Sequence, residues 1–289
     1  MNISVNAPAK INLYLDVVSR LDNGFHEIES IMQTVSLHDT VHVSVEPCND
    51  DTISLYCSNP DIPQDERNIA WKAARMYLDT FDVQGYSIDI KIEKRIPVCA
   101  GLAGGSTDAA AVLLALNSLF DKKASTDELL ECAARLGSDV PFCLVRGTML
   151  TEGRGEIMKD VSRIPDCALL ICSSGESVST PWAYAELDRL HGDFKSSKRS
   201  VGNFIESLNN GNLNDIAKNM YNIFEEAVFP ACPLAEKSKD LLLKSGAIGA
   251  MMSGSGSSVF GIFADEETAI KAKSALDSSE RQVYLCRPQ

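Results

Sequence analysis

Positive charge, histidine and tryptophan are scarce in this sequence. Against 40 Asp and Glu stand only 27 Lys and Arg, a formal net charge of −13. That balance argues against a nucleic-acid partner, whose affinity comes mainly from Lys and Arg on phosphates. An anionic small molecule must be met by a local positive site, not a global field. No apolar run is long enough to span a bilayer. The opening Met1-Asn-Ile-Ser-Val-Asn-Ala-Pro8 lacks the basic-then-apolar pattern of an export signal, so the cytoplasm is the expected compartment, with no membrane partner. The nine cysteines are odd in number and include no C-x-x-C, which predicts buried free thiols in a reducing compartment. Of the four histidines, His38 and His42 share one face of an extended strand, but no third metal ligand is near them. Two familiar phosphate motifs are also missing: there is no G-x-x-x-x-G-K-[ST] and no G-x-G-x-x-G.

What is present is a chain of 289 residues, 45% hydrophobic and 23% charged, long enough for about two globular domains. Its organising stretch runs from Pro97 to Asp108. Before it, Tyr86–Glu93 alternates apolar and polar residues, as a half-buried strand requires. After it, Ala109–Phe120 has high helix propensity and almost no polar face, predicting a buried helix, with Ser106, Thr107 or Asp108 as its N-cap. A strand, a glycine-rich loop and a helix start can bind an anion: the first helical N–H groups lack internal partners, and glycines let the backbone approach closely. A tight turn with small residues for helix packing would read the same way.

Elsewhere, Lys10 and Asn12 fall on the same side of an otherwise apolar strand, as an edge charge or as a cation held near a phosphate or acid. Arg20–Gly24 reads as a turn signalled by Asn23-Gly24, followed by Phe25 and His26. Residues 65–81 carry a helical apolar stripe, with Arg67 and Asn68 at its start for capping or for a ligand. Ser125–Glu128 is a capping box, and Ser138 or Asp139 can cap a short turn containing Pro141. The glycine-broken Glu152-Gly-Arg-Gly155 is the expected boundary, dividing the chain into 1–155 and 156–289. Beyond it come a strand at 168–172, helices near 181–190, 200–208, 212–227 and 231–245, strands at 248–251 and 259–263, a helix from Asp265, and a strand at 283–286. Ignoring the extra helices, the order is β-α-β-β-α-β, a ferredoxin-like split βαβ.

Three stretches, Pro8-Ala-Lys10, the loop at 97–108 and Gly254-Ser-Gly-Ser-Ser258, stand in an order and spacing that resembles the GHMP kinases, the superfamily of galactose, homoserine, mevalonate and phosphomevalonate kinases. Gly24-Phe-His-Glu27, Leu136-Gly-Ser-Asp-Val-Pro-Phe142 and Thr180-Pro181 narrow the resemblance to members acting on an alcohol that carries a cytidine diphosphate group. It implies an α+β, two-domain fold with a ribosomal-protein-S5-like N-terminal domain and a ferredoxin-like C-terminal domain. It also implies ATP as phosphoryl donor with Mg²⁺, and a monomer or weak homodimer.

By the same resemblance, Lys10 and Asp139 would be the catalytic pair, the ammonium beside the carboxylate. Pro97, Val98, Cys99, Ala100, Gly101, Leu102, Ala103, Gly104, Gly105, Ser106 and Thr107 would wrap the ATP phosphates, with Asn68 near the adenine. Phe25 and His26 would hold the cytosine, with Tyr184 on its other face. Asn12, Gly254, Ser255 and Gly256 would touch the substrate. Three residues depart from the pattern. Cys99 and Ala103 stand where many members have glycine: a methyl at 103 is mild at negative φ and costly at positive φ, and Cys99 can pack inward. Phe25 replaces a common tyrosine. Another GHMP-type kinase, or a non-catalytic nucleotide-binding protein on the same scaffold, is the alternative.

Overall fold

A computed structural model describes the chain apart from residues 23, 122, 193 and 195–199; the anticipated turn residue Asn23 lies outside the described residues. The chain separates into two compact units, each assembled from several stretches: residues 1–9, 38–96 and 103–145 form the first, and 10–37, 97–102 and 146–289 the second. Two long strands, β1 (Asn2–Arg20) and β2 (His26–Pro47), run through both.

In the first unit, β2 pairs antiparallel with β4 (Tyr86–Glu93), and β4 pairs parallel with β3 (Thr52–Cys57), bringing Val43, Ile90 and Leu55 into register. The alternation in β4 is used as predicted: Ile88, Ile90 and Ile92 are buried. Each such side chain contributes about 1.5–3 kcal/mol by leaving water. Beside the sheet, α1 (Ile69–Thr80, between β3 and β4) packs on β3, and α2 (Gly104–Leu119), α3 (Thr126–Leu136) and α4 (Val140–Val145) pack with α1 and with one another. α1 buries the predicted stripe of Ala70, Ala73, Ala74, Tyr77 and Leu78. The capping box of α3 is formed, with Ser125 and Glu128 bonding reciprocally.

In the second unit, β2 continues antiparallel to β5 (Thr148–Glu152), which pairs with β6 (Ile157–Asp160), so the glycine-broken stretch is a hairpin turn. β7 (Ala168–Ser173) is followed by α5 (Thr180–His191), α6 (Val201–Asn210), α7 (Leu213–Asn219), β8 (Tyr221–Asn222), α8 (Phe224–Val228) and α9 (Pro233–Lys244). β9 (Gly249–Met252), β10 (Val259–Phe263), α10 (Glu266–Leu276) and β11 (Gln282–Cys286) complete it. The sheet order β11-β7-β10-β9 is antiparallel throughout, the arrangement expected of a β-α-β-β-α-β chain.

Two local expectations are corrected. The helix foreseen over 212–227 is interrupted, because Tyr221 and Asn222 pair with Tyr14 and Leu15 of β1 and Ile223 N–H bonds Leu15 O at 3.0 Å. Sheet pairing outweighs the modest helix propensity there. The cap of α2 is also not Ser106, Thr107 or Asp108. The helix opens at Gly104 after Ala103, whose backbone is left-handed at φ 56°, and the Asp108 carboxylate is drawn instead into an ion pair with Lys94 at 2.7 Å.

Candidate active site

Lys10 lies on the stretch of β1 that belongs to the second unit, and it is buried, only 4% exposed. A buried ammonium must be compensated. Its Nζ donates to Asn12 Oδ1 at 2.7 Å, Asn12 Nδ2 donates to Ser30 Oγ at 2.8 Å, and Ser30 Oγ donates to Tyr14 O at 2.7 Å. The i, i+2 spacing read from the sequence thus becomes a direct contact, and Ser30, which no motif flagged, orients Asn12. The edge-charge reading of Lys10 is excluded by its burial.

The glycine-rich loop divides between the units. In the second, Lys10 N–H bonds Leu102 O at 3.2 Å, tying the loop to the strand of the lysine. The turn between β9 and β10 lies directly on it: Ser253 Oγ donates to Gly101 O at 2.9 Å and Ser258 N–H to Ala100 O at 3.3 Å. Gly101 has φ 74°, and a Cβ there would sit 2.0 Å from Ser253 O, so backbone meets backbone where only glycine fits. Lys10, residues 100–102 and residues 253–258, from three motifs distant in sequence, therefore share one place in this unit. Ser255 Oγ is also 2.9 Å from Thr180 Oγ1, joining two more of the motifs.

In the first unit, the loop continues into α2. The first N–H groups of a helix have no acceptor within it, and here Thr107 Oγ1 is buried with no hydrogen-bond partner among the described residues. An orphaned buried hydroxyl beside a helix start suits a phosphate oxygen. Beneath lies a buried cluster. Lys94 Nζ bonds the carboxylates of Asp39 and Asp108, and Asp39 Oδ1 also accepts from Arg95 N–H at 2.5 Å and Ile96 N–H at 2.8 Å. Burial, followed by the nearby Asp39 charge and against the pull of Lys94, pushes the Asp108 carboxyl up to about 7. The two carboxylates outweigh burial at Lys94 and raise its ammonium above the ordinary lysine range.

Cys99 and Ala103 both have positive φ, 53° and 56°. The costly alternative for Ala103 therefore holds, and Cys99 is exposed, not packed inward. Cys48 is exposed too, so the expectation of buried free thiols holds for the other seven cysteines and is corrected at these two. Asn68 caps α1: its Oδ1 accepts from Ala70 N–H at 2.9 Å and its Nδ2 donates to Pro63 O at 2.8 Å. Asp139 is half-buried just before α4, in the first unit, and its carbonyl accepts from Cys143 N–H at 3.1 Å.

The aromatic group lies in the second unit. Phe25 is 54% exposed, with the Arg154 guanidinium 5.1 Å from its ring centre. His26 is buried, bonds Asp188 Oδ1 through Nε2 at 2.7 Å, and stacks on Tyr184 at 4.6 Å. No gap for a base exists between those two rings. Arg154 and Asp188 were invisible to motif reading. Arg154 stands in the turn between β5 and β6, outside every motif, and Asp188 is 162 residues from His26.

Residues 68–147 match the family of GHMP kinases N terminal domains, and residues 204–281 the family of GHMP kinases C terminal domains. The chain is 42% identical over 97% of its length to the 4-diphosphocytidyl-2-C-methyl-D-erythritol kinase of Caldicellulosiruptor saccharolyticus, covering 95% of that protein. It is 39% identical over 98% of its length to the enzyme of the same name from Acetivibrio thermocellus, again covering 98% of it. A crystal structure of a 4-(cytidine 5'-diphospho)-2C-methyl-D-erythritol kinase superposes with TM-score 0.81 at 31% identity, over 99% of both chains. L. major mevalonate kinase shares the fold, TM-score 0.78 over 99% of this chain and 96% of the other, at 17% identity.

Proposed function

The chain belongs to the GHMP kinase family and is a phosphotransferase that uses ATP, and from that premise we propose its acceptor and its working residues. The acceptor is the 2-hydroxyl of 4-diphosphocytidyl-2-C-methyl-D-erythritol, in the non-mevalonate (methylerythritol phosphate) route to isoprenoid precursors. Full-length similarity to kinases of that name supports this choice. One structural observation carries the reading: a glycine-rich loop opens α2 where Thr107 Oγ1 is buried and unpartnered among the described residues, the donor arrangement a phosphate requires.

In this proposal, residues 97–107 hold the ATP phosphates, and Lys10 offsets negative charge on the group in transit. Asp139 accepts the hydrogen bond, and then the proton, of the substrate hydroxyl. The hydroxyl oxygen bonds to the γ-phosphorus, the bond from phosphorus to the leaving oxygen breaks, and ADP departs. Such a transfer needs mainly in-line positioning and charge stabilisation. Mg²⁺ bound with the nucleotide would neutralise phosphate charge, and no residue of the chain is assigned to it. Phe25 presents its exposed ring to the cytosine. His26, held by Asp188 and backed by Tyr184, offers its remaining edge, so that Tyr184 acts through His26. Asn12, Gly254, Ser255 and Gly256 are assigned to the substrate, and Asn68, its side chain engaged in capping, to the adenine side by position. The division near residue 155 is supported by the two family matches lying on either side of it.

The test is ADP release by purified protein with ATP, Mg²⁺ and a panel of the cytidine-linked alcohol, mevalonate and homoserine. Turnover is expected with the first alone. Asp139→Asn should lower kcat by about 10²-fold or more while nucleotide affinity stays within threefold. Full turnover in that variant would remove Asp139 from its role, and equal use of mevalonate or homoserine would remove the substrate assignment.

A further inference from the structure

The turn at 253–258 is held from behind by one side chain that no motif includes. Asn222 is 3% exposed, and its side chain is hydrogen-bonded at both its nitrogen and its oxygen. Its two Nδ2 hydrogens go to Met252 O and Gly254 O, both at 2.8 Å, and its Oδ1 accepts from Phe224 N–H at 3.0 Å. Three residues on, Glu225 Oε1 accepts from Met252 N–H at 2.9 Å, so Met252 is gripped at both its N–H and its C=O. Asn222 itself is anchored to β1, where Leu15 is its partner in register. β1 is the strand that carries Lys10 and Asn12.

Bonds also lead outward from the turn. Ser253 Oγ and Ser258 N–H donate to Gly101 O and Ala100 O, and the two backbones touch where no Cβ fits. A shift of Met252 and Gly254 would therefore be passed to Ala100 and Gly101. We propose that Asn222 is a positioning residue for phosphoryl transfer: it fixes the 253–258 turn against the glycine-rich loop, and so fixes the part of that loop that follows Cys99. This inference rests on the reading of the loop as the ATP phosphate site. The chemistry requires asparagine specifically. Aspartate has the same shape but would set a carboxylate against two carbonyl oxygens, with no hydrogen to offer until it is protonated.

The experiment compares wild type, Asn222→Ala, Asn222→Asp and Ser253→Ala as full-length chains. It measures kcat and KM per folded molecule, ADP affinity by calorimetry, and thermal unfolding. Asn222→Ala should lower kcat at least tenfold and weaken ADP binding several-fold. Asn222→Asp should be worse than Ala at pH 8 and gain on it as the pH is lowered to 6, because protonation restores one donor. Ser253→Ala, which deletes only the bond to Gly101 O, should lower kcat about threefold without loss of folding, and it decides the matter if the Asn222 variants do not fold. A purely structural Asn222 would lower the unfolding temperature and leave kcat, ADP affinity and the Asp-to-Ala ratio across pH unchanged, and that result overturns the proposal. Wild-type transfer distinguishes the two levels. Active wild type with normal variants overturns the clamp alone, whereas inactive wild type overturns the kinase reading and the clamp with it.

Discussion

Ala103 sits at φ 56°, ψ 31°, a backbone conformation that costs an L-residue with a Cβ roughly 1–2 kcal/mol and costs glycine nothing comparable. Replacing it by glycine should therefore stabilise the protein, by about 0.5–1 kcal/mol once the greater freedom of glycine in the unfolded chain is subtracted. A higher urea midpoint for Ala103→Gly at unchanged slope is the expected result, and a lower midpoint would show that the methyl makes contacts worth more than the strain. The sequence had marked this position as a departure but could not supply the sign of φ, because a loop dihedral is set by what the loop is fastened to. The same holds for Lys10. Its type and its spacing from Asn12 were legible, whereas its burial was not, since one lysine in an apolar strand is compatible with either face.

At the scale of elements, α2 illustrates how a buried charge cluster shapes a helix start. Asp39, Lys94 and Asp108 bring two carboxylates to one ammonium, all nearly inaccessible. The second carboxylate is the costly one, and Asp108 titrates near 7 because burial opposes its charge. A folded-state value above the unfolded one, near 4, means the native state holds the extra proton between the two. The contribution of Asp108 to stability is then complete below about pH 4 and is lost as the pH rises through about 7. Asp108→Asn keeps an acceptor for Lys94 and cannot ionise. Scanning calorimetry from pH 5 to 8 should find the wild type losing more unfolding temperature than the variant. Parallel curves would mean that Asp108 titrates normally. Helix periods, the capping box and the order of strands after residue 160 were all readable from pattern. The break at Tyr221–Asn222 was not, because strand pairing with residues more than 200 positions earlier leaves no local signal.

At the scale of the molecule, the proposed catalytic pair is shared out: Lys10 belongs to one compact unit and Asp139 to the other. If both serve one phosphoryl transfer, their losses should not multiply. Lys10→Ala should lower kcat by at least an order of magnitude, as loss of a transition-state charge partner typically does, yet cost little more when Asp139 is already Asn. Steady-state kinetics of the four-member cycle would read this. Fully multiplicative losses would show the two residues acting separately.

Period by itself determined β4, the stripe of α1 and the ferredoxin-like order of elements after residue 160 apart from the break at Tyr221–Asn222, because these depend on local periodicity, and three spaced motifs carried the resemblance to a kinase family, because they use residue types that few chemistries share. Tertiary structure alone decided that Gly101 rests on Ser253 across 152 residues, that Ala103 turns left-handed, and that Asn222 and Asp188 stand behind the loops and rings in front of them. Those facts arise from contacts of backbone with backbone and from single buried polar groups. A backbone carbonyl is the same at every position, so nothing in the order of side chains announces which carbonyl will be met.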